Sequence, residues 1–309
     1  MNESPETVDT NAADSPLVGV VVLTWENYEE TRDCLSSLAT LSYPNYDVFV
    51  VDNGSEDGSY RRLREEFPWC EFVRNERNLG VTRGNNAGIE RALDAGSDYV
   101  LLLNDDTVVV DGCLSELVRT AESESDAAVV GGINYRASTG EIHNAGARFS
   151  VLLGGLTFLH DEPLDDEPYP VDYVPTCFAL LDTEFVANNE VLSEAYFLGM
   201  EDVDLAWQAR AAGYEVLVDP DAAIYHRIGR TSSLSPFSVY HRTRNRLQFA
   251  SRHLSVPERI GFLLSLALWV VANSVRWLAG RDSDKVKALV TGARDHTADR
   301  DFRAHDEIV

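Results

Sequence analysis

Two acidic pairs in different parts of the chain are the side chains best placed to do chemistry. Asp105-Asp106 follows an apolar run at residues 99–103, and Glu201-Asp202 opens an amphipathic stretch. A carboxylate just past a buried strand points into the crevice where open α/β sheets bind ligands. One such pair can hold a divalent cation on a diphosphate, and the other can take a proton from an attacking hydroxyl. Together they indicate transfer of a group from a nucleotide diphosphate.

Three weaker signals accompany these pairs. Asp52 also ends an apolar run, residues 78–88 are rich in glycine, and His226 follows a short apolar run. A glycine-rich loop that leads into a helix can cradle phosphate at the helix N-terminus. Each signal has a structural alternative: a plain turn, a loop that needs glycine, and a buried histidine with an ordinary partner. The acidic pairs have alternatives too, a solvated turn for the first and a favourable helix-dipole contact for the second.

The elements that must position these residues alternate between strand and helix as far as about residue 132. We predict strands at residues 18–24, 46–51, 71–74 and 99–103, with helices between them. This alternation predicts an α/β fold whose parallel sheet carries helices on both faces. Beyond it we predict hairpins and loops at 133–174, helices at 182–192 and 202–212, and a strand at 214–218.

The chain is strongly acidic and almost free of lysine. Its 309 residues carry a formal net charge of -25, and Lys285 and Lys287 are the only lysines beside 24 arginines. Such a composition suits molar salt, where screening makes self-repulsion cheap. We therefore predict a halophile protein, from a haloarchaeon, with an ordinary acidic protein as the alternative. The same charge argues against a nucleic-acid partner.

The cysteines and the N-terminus point to the cytoplasm. Four cysteines are scattered without metal-like spacing, which is typical of reduced thiols in a cytosolic protein. Residues 1–16 are polar and acidic, and we predict a disordered tail there. They lack the basic and apolar regions of a secretory signal.

The C-terminal part differs in charge from the rest. Residues 240–294 hold ten Lys/Arg and three Asp/Glu, whereas residues 1–239 hold 14 and 43. Ser255, Pro257 and Glu258 mark a helix start, and an uncharged run at 260–275 follows it. This run is shorter than the roughly 20 apolar residues of a spanning helix. We predict that residues 255–309 form a basic helical segment on a membrane surface; the alternatives are packing on the core and a homodimer interface.

Taken together, the motifs resemble those of the family 2 glycosyltransferases, and most closely their rhamnosyltransferase-like branch. The matching stretches are residues 20–28, 50–55, 78–80, 84–88, 102–107, 201–207, 212–214 and 225–226. The resemblance implies the GT-A fold, a mostly parallel Rossmann-like sheet flanked by helices, over residues 17–254.

The resemblance also implies a nucleotide-binding role for six residues: Thr24, Glu26, Asp52, Arg83, Asn85 and Asp105. Asp52 would bind the base, Asp105 would face the ribose, and Arg83 and Asn85 would lie near the pyrophosphate. Asp106 and His226 would hold Mg²⁺ or Mn²⁺. Asp202 would deprotonate the acceptor hydroxyl, which gives inversion at the anomeric carbon.

Some positions depart from the family pattern. The metal motif begins with Asn104 where many members have Asp, and residues 175–181 lack the glycine usual at the acceptor side. The Gln-x-x-Arg-Trp run of the processive synthases is absent from the sequence, which favours transfer of a single sugar.

These features predict a metal-dependent inverting glycosyltransferase. It would move a hexosyl or deoxyhexosyl group from a nucleotide-diphosphate sugar to a glycan or lipid-linked glycan, peripherally at the cytosolic face of the cell membrane. Such acceptors serve protein glycosylation and cell surface polysaccharide. A sugar-nucleotidyltransferase is one alternative, although no lysine precedes position 285 to serve its activating loop. A catalytically silent nucleotide-sugar-binding scaffold is the other.

Overall fold

The computed structural model describes residues 15–151, 155–160, 167–189, 191–227 and 235–296. The predicted disordered tail therefore lies outside the described residues, apart from its last two. The carbonyl oxygens of Ser15 and Pro16 accept hydrogen bonds from the side chains of Asn45 and Tyr43. For the rest of the tail, disorder stays a prediction.

The first half of the chain forms a parallel layer in the order β3-β2-β1-β4. The strands are β1 (Val18–Thr24), β2 (Tyr46–Asp52), β3 (Glu71–Arg74) and β4 (Tyr99–Asn104). The helices between them are α1 (Tyr28–Leu38), α2 (Ser59–Glu66) and α3 (Gly80–Asp94). The predicted alternation is confirmed here.

The second half completes the sheet with strands of both directions. The elements are β5 (Thr107–Val109), α4 (Cys113–Ser123), β6 (Ala127–Arg136), β7 (Ile142–Asn144), β8 (Ala147–Ser150), β9 (Gly155–Phe158), β10 (Tyr169–Pro170), β11 (Phe178–Asp182), α5 (Thr183–Asn188), α6 (Glu201–Ala211) and β12 (Glu215–His226). Strand β11 runs antiparallel to both of its neighbours, β4 and β6. The α/β fold is confirmed, and the sheet is mixed rather than mostly parallel.

Helices cover both faces of this sheet. Along β1 the side chains alternate, as a strand requires: Val20 and Val22 belong to the same cluster as Leu35 of α1, while Val21 packs with Ile89 of α3. Both clusters are buried, which explains why β1 and β4 appear in the sequence as continuous apolar runs.

The glycine-rich stretch is helix rather than the predicted loop. Helix α3 begins at Gly80 and includes residues 80–88. A Cβ atom on Gly84 would lie 2.5 Å from Leu23 Cδ1, and one on Gly88 would lie 2.3 Å from Val21 Cγ1. The spaced glycines therefore let α3 approach β1 closely, which the sequence pattern alone did not distinguish from a phosphate loop.

Two other boundaries differ from prediction. Helix α5 covers Thr183–Asn188 only, instead of residues 182–192. The strand predicted at 214–218 is the first part of β12, which runs on to His226 through a register shift between Asp219 and Ala223. Because this irregularity accommodates Pro220, the proline does not end the strand.

Three helices close the described chain: α7 (Pro236–His253), α8 (Val256–Ala279) and α9 (Ser283–Asp295). The predicted helix start at Ser255 is confirmed as a capping box with Glu258. The C-terminal helical extension is thus present as far as residue 296, and residues 297–309 of the predicted segment lie outside the described residues.

Candidate active site

Predicted nucleotide-binding residues lie at the carboxyl ends of three parallel strands, β1, β2 and β4. The register sets Thr24 of β1 beside Asp52 of β2, and Leu23 beside Asn104 of β4. Parallel strands end at the same edge of a sheet. Asp52 is the last residue of β2 and Asp105 directly follows β4, so both lie at this edge. The register places both residues at this edge, and that their side chains share one crevice stays a prediction.

Asp105 is held by the turn between β1 and α1. Its Oδ2 accepts hydrogen bonds from Asn27 Nδ2 at 3.0 Å and from Thr31 Oγ1 at 3.2 Å. Burial, and then the charge of adjacent Asp106, raises the pKa of Asp105 to about 7, against the hydrogen bonds from Thr24, Asn27 and Thr31. The side chain is thus held in a fixed orientation, in surroundings that disfavour its charged form.

Asp52 is fully buried and partly unpaired. Its Oδ2 lies 3.3 Å from Arg74 Nε and accepts a hydrogen bond from the Ser55 amide at 3.2 Å. Its Oδ1 has no hydrogen-bond partner among the described residues. Glu26 reaches the same loop, because its amide donates to Ser55 Oγ at 2.8 Å. One oxygen of Asp52 is therefore a buried acceptor whose hydrogen-bonding capacity is unused among the described residues.

Arg83 and Asn85 lie in the first turns of α3. Arg83 Nε is 3.1 Å from Glu194 Oε2, and Asn85 is buried. Asn53, which follows β2, ties this helix to the crevice: its Nδ2 donates to the Gly80 carbonyl and its Oδ1 accepts from the Leu79 amide, both at 3.0 Å.

Asp106 and His226 are brought together by β5 and the end of β12, which pair so that Thr107 faces His226. His226 Nε2 lies 3.0 Å from Asp106 Oδ1. The contact is close enough for an ion pair but outside hydrogen-bond geometry, since Oδ1 is buried without a hydrogen-bond partner in the described chain. Burial alone would lower the His226 pKa, but Cys177 and Asp106 outweigh it and raise the pKa to about 10.

This pair has the chemistry of a two-ligand cation site. Within the described ranges no group of three or more His, Cys, Asp or Glu side chains is arranged to hold a metal ion. A carboxylate oxygen and an imidazole nitrogen that converge, with the oxygen buried and without a hydrogen-bond partner among the described residues, nevertheless fit a cation. Magnesium is often bound by one or two carboxylates, with substrate phosphates and water supplying the other ligands.

Asp202 lies in the first turn of α6 and is held on both oxygens. Oδ2 accepts a hydrogen bond from the Tyr173 hydroxyl and Oδ1 one from the Val203 amide, each at 2.8 Å. Burial raises the Asp202 pKa, while these two bonds act in the opposite direction. A carboxylate of raised basicity in fixed orientation is suited to accept a proton.

The neighbouring acids of α6 have different environments. Burial and the charge of Asp202 raise the pKa of Glu201 to about 8. Asp204 is completely buried and accepts hydrogen bonds from Tyr196 at 2.9 Å and Gln208 at 2.6 Å. Asp204 therefore has a structural role, and Asp202 remains the candidate base.

Two residues of the site were missed by sequence reasoning. Tyr173 holds Asp202, and Cys177 Sγ lies 3.8 Å from His226 Nδ1. Tyr173 and Cys177 also interact electrostatically with each other. The segment from Tyr173 to Cys177 thus joins the candidate base to the candidate cation pair. The family resemblance assigns residues 175–181 to the acceptor side, but it singles out neither Tyr173 nor Cys177; the four cysteines are free and buried.

The sheet and its acidic edge define the GT-A class of glycosyltransferase folds. The structure of GalNAc-T7 with UDP, GalNAc and Mn²⁺ superposes with a TM-score of 0.60 and 14% identity, over 78% of this chain and about half (52%) of that one. A mannosyltransferase from Pyrobaculum calidifontis, in complex with GDP-Man and Mn²⁺, gives a TM-score of 0.59 and 14% identity over 96% of this chain and 92% of its own. At this identity the likeness concerns the fold.

The chain belongs to glycosyl transferase family 2, because the sequence model of that family matches residues 19–186. It is therefore a glycosyltransferase. A relative in Mycobacterium tuberculosis, N-acetylglucosaminyl-diphospho-decaprenol L-rhamnosyltransferase, is 25% identical over 259 residues, which cover 76% of this chain and 84% of the relative. The predicted family is confirmed.

Proposed function

We propose that the protein is a metal-dependent inverting glycosyltransferase that moves one sugar from a nucleotide-diphosphate sugar to a lipid-linked glycan at the cytosolic face of the membrane. The observation that carries the proposal is the segment from Tyr173 to Cys177, which joins Asp202 to the Asp106–His226 pair. The lipid-linked acceptor is supported by the name of the mycobacterial relative, and the donor and cation by the ligands of the two solved neighbours.

The donor would lie along the carboxyl edge of the sheet. Asp52 would accept a hydrogen bond from the base through its unpaired Oδ1, and Asp105 would accept one from the ribose. Thr24, at the end of β1, and Glu26, in the turn that follows, would contact the nucleotide. Arg83 and Asn85 would face the pyrophosphate from α3, which requires Arg83 to exchange its contact with Glu194 for phosphate.

Asp106 and His226 would hold Mg²⁺ or Mn²⁺. When bound, the ion would neutralise the charge that develops on the departing diphosphate. The chain has no lysine in residues 1–284 to supply this charge instead. Asn104 contributes no charge, so the two-ligand set is consistent with a cation held jointly by the protein and the nucleotide.

Asp202 would act on the acceptor. As the acceptor oxygen attacks the anomeric carbon, its proton passes to Asp202, and the bond from that carbon to the diphosphate oxygen breaks. Attack from the face opposite the leaving group inverts the anomeric configuration. The hydrogen bond from Tyr173 fixes the carboxylate for this transfer, and burial keeps it basic.

The test is a transfer assay with a panel of UDP-, GDP- and dTDP-sugars, Mn²⁺ and short polyprenyl-diphosphate sugars. We expect release of the nucleoside diphosphate and a product of inverted anomeric configuration, read by NMR. Release of inorganic pyrophosphate in a parallel reaction with nucleoside triphosphates and sugar 1-phosphates would instead identify a nucleotidyltransferase. Tight binding of the donor panel without turnover on any acceptor would favour the silent scaffold.

A further inference from the structure

Helix α8 carries a continuous apolar stripe on the face turned away from the protein. Its exposed members recur every three or four residues, so they lie on one side of the helix. They are Val256, Ile260, Leu263, Leu264, Leu268, Val271, Val275 and Leu278. The charged residues of α8, Glu258, Arg259 and Arg276, all lie off this stripe.

This stripe is too exposed for the core helix of a soluble protein. Among the described residues, α8 is the one helix that is both long enough and apolar enough to cross a membrane. Only 17% of its most apolar 18-residue stretch is buried. Leu268, in the middle of the helix, is 74% exposed. A contiguous apolar surface of this kind marks an interaction site.

The opposite face of α8 is fastened to the protein at both ends. Phe262 and Leu266 pack in a cluster with Phe249 of α7, and Trp277 packs with Tyr240 of α7 and with α9. Phe262 and Trp277 are separated by fifteen residues, about 22 Å of helix. A helix that crossed a bilayer would have to give up these contacts, so the fold favours a helix that lies in the plane of the membrane.

Charge selects a lipid surface over a second copy of the chain. Arg242, Arg276 and Arg281 are exposed, and residues 240–294 carry a net charge of +7 whereas residues 1–239 carry -29. Two copies joined stripe to stripe would bring basic helices together. Anionic lipid headgroups complement them and leave the acidic body facing water.

We propose that the α8 stripe docks into the interface of an anionic lipid membrane, with the helix parallel to the bilayer. Val203 and Tyr173, which flank and hold Asp202, belong to the same cluster as Phe262 and Leu266. The docked helix therefore lies one packing layer from the candidate base. This last step rests on the proposed function. If the acceptor is a membrane-borne lipid, its sugar would reach Asp202 while the lipid stays in the membrane.

Vesicle co-sedimentation of the full chain, without donor or acceptor, tests the docking. We expect binding to phosphatidylglycerol vesicles, weaker binding to phosphatidylcholine vesicles at 0.1 M KCl, and binding to both in 2 M KCl, where headgroup attraction is screened and apolar burial remains. Leu264→Glu with Leu268→Glu should lower the partition coefficient at least tenfold. Val110→Glu, an exposed valine on the catalytic body, is the matched control.

Four results would overturn the proposal. Wild-type protein that stays in the supernatant with every vesicle would do so, and so would equal loss of binding in Val110→Glu. A stripe-dependent dimer in analytical ultracentrifugation, without vesicle binding, would assign the stripe to a second copy. Membrane-bound protein that resists carbonate extraction would contradict the in-plane orientation. Mn²⁺-dependent nucleotide binding, measured on the same samples, reports separately on the proposed function.

Discussion

The hydroxyl of Tyr173 donates a 2.8 Å hydrogen bond to Oδ2 of Asp202, across 29 residues of sequence. Tyr173 is buried, its backbone bridges Ala147, and its ring packs edge-on against Phe158 at 5.9 Å. These contacts fix the hydroxyl before any substrate arrives. The carboxylate is thereby held in one orientation, which is what a base acting on a positioned hydroxyl requires.

Tyr173→Phe should shift the pH dependence of transfer. The hydrogen bond from Tyr173 lowers the Asp202 pKa against the effect of burial, so its removal raises that pKa. A hydrogen bond to a charged group contributes about 1.5–3 kcal/mol, and one pKa unit is about 1.4 kcal/mol. We expect the acidic limb of kcat/KM to move up by about one pH unit, with nucleotide affinity unchanged.

The control for this prediction is Tyr169→Phe, which removes a buried tyrosine hydroxyl that donates to the Ala145 carbonyl at 2.9 Å. It should leave the pH profile in place. If Tyr173→Phe lowers activity equally at every pH without moving the limb, Tyr173 is only a packing residue.

Cation binding should release a proton from His226. The raised pKa of about 10 means that the imidazole is protonated at neutral pH in the metal-free protein, and a metal ligand must lose that proton. Calorimetric titration of Mn²⁺ with a nucleoside diphosphate, in two buffers of different ionisation enthalpy, measures the release. His226→Gln should abolish it and weaken Mn²⁺ binding by at least about tenfold, or 1.4 kcal/mol.

His296→Gln, at the C-terminal end of α9, should behave as wild type in the same titration. Proton release that is unchanged in His226→Gln would exclude His226 as a ligand.

Asp105→Asn should stabilise the ligand-free protein at alkaline pH. Because the folded pKa of about 7 lies above the ordinary Asp value, the folded state favours the neutral carboxyl, and stability falls as pH rises from about 4 through 7. The amide removes that cost. We expect a gain of about 1–2 kcal/mol at pH 8, below the roughly 4 kcal/mol that three pKa units represent, because Asp105 retains partial solvent access.

Thermal melts at pH 5 and pH 8 check the sign. The difference in Tm between variant and wild type should be larger at pH 8, and the variant should bind nucleotide more weakly. A difference that is larger at pH 5 would contradict the assignment.

The protein should need salt to stay folded. The protein has a net charge of -25, so its acidic side chains repel one another. The range of this repulsion is the Debye length, about 10 Å at 0.1 M salt and about 3 Å at 1 M. Melts in increasing KCl should show a rising Tm, steepest at low concentration. Sucrose of matched osmolality is the control, since it does not screen charge. A Tm that responds equally to both, or to neither, would refute a halophilic adaptation.

The parts of the fold that could be predicted are those in which local pattern and burial agree. Continuous apolar runs end in Asp52 and Asp105 because parallel strands are buried on both faces and their polar ends meet at one edge. Strand β11 has the same buried character, but it is short and inserted antiparallel between β4 and β6 by tertiary contacts alone. Its position therefore could not be derived from sequence spacing.

The candidate site shows the same division. The family resemblance predicts that Asp106 and His226 lie together. The physical cause is the pairing of β5 with the end of β12, which brings the two residues side by side. Tyr173 could not be found, because its partner lies 29 residues away and the chain around it has no periodicity. Gly84 and Gly88 were interpreted through phosphate chemistry, although the close approach of α3 to β1 requires them.

The most direct test of the account is the paired measurement of turnover and nucleotide affinity for Asp202→Asn. The amide keeps the shape of the side chain and loses its basicity, so the rate of sugar transfer should fall by about 10² to 10⁴, while nucleotide affinity stays as in wild type. Asp94→Asn, at an exposed position of α3, is the control and should change neither quantity. Near wild-type transfer by Asp202→Asn would contradict the assignment of Asp202 as the base.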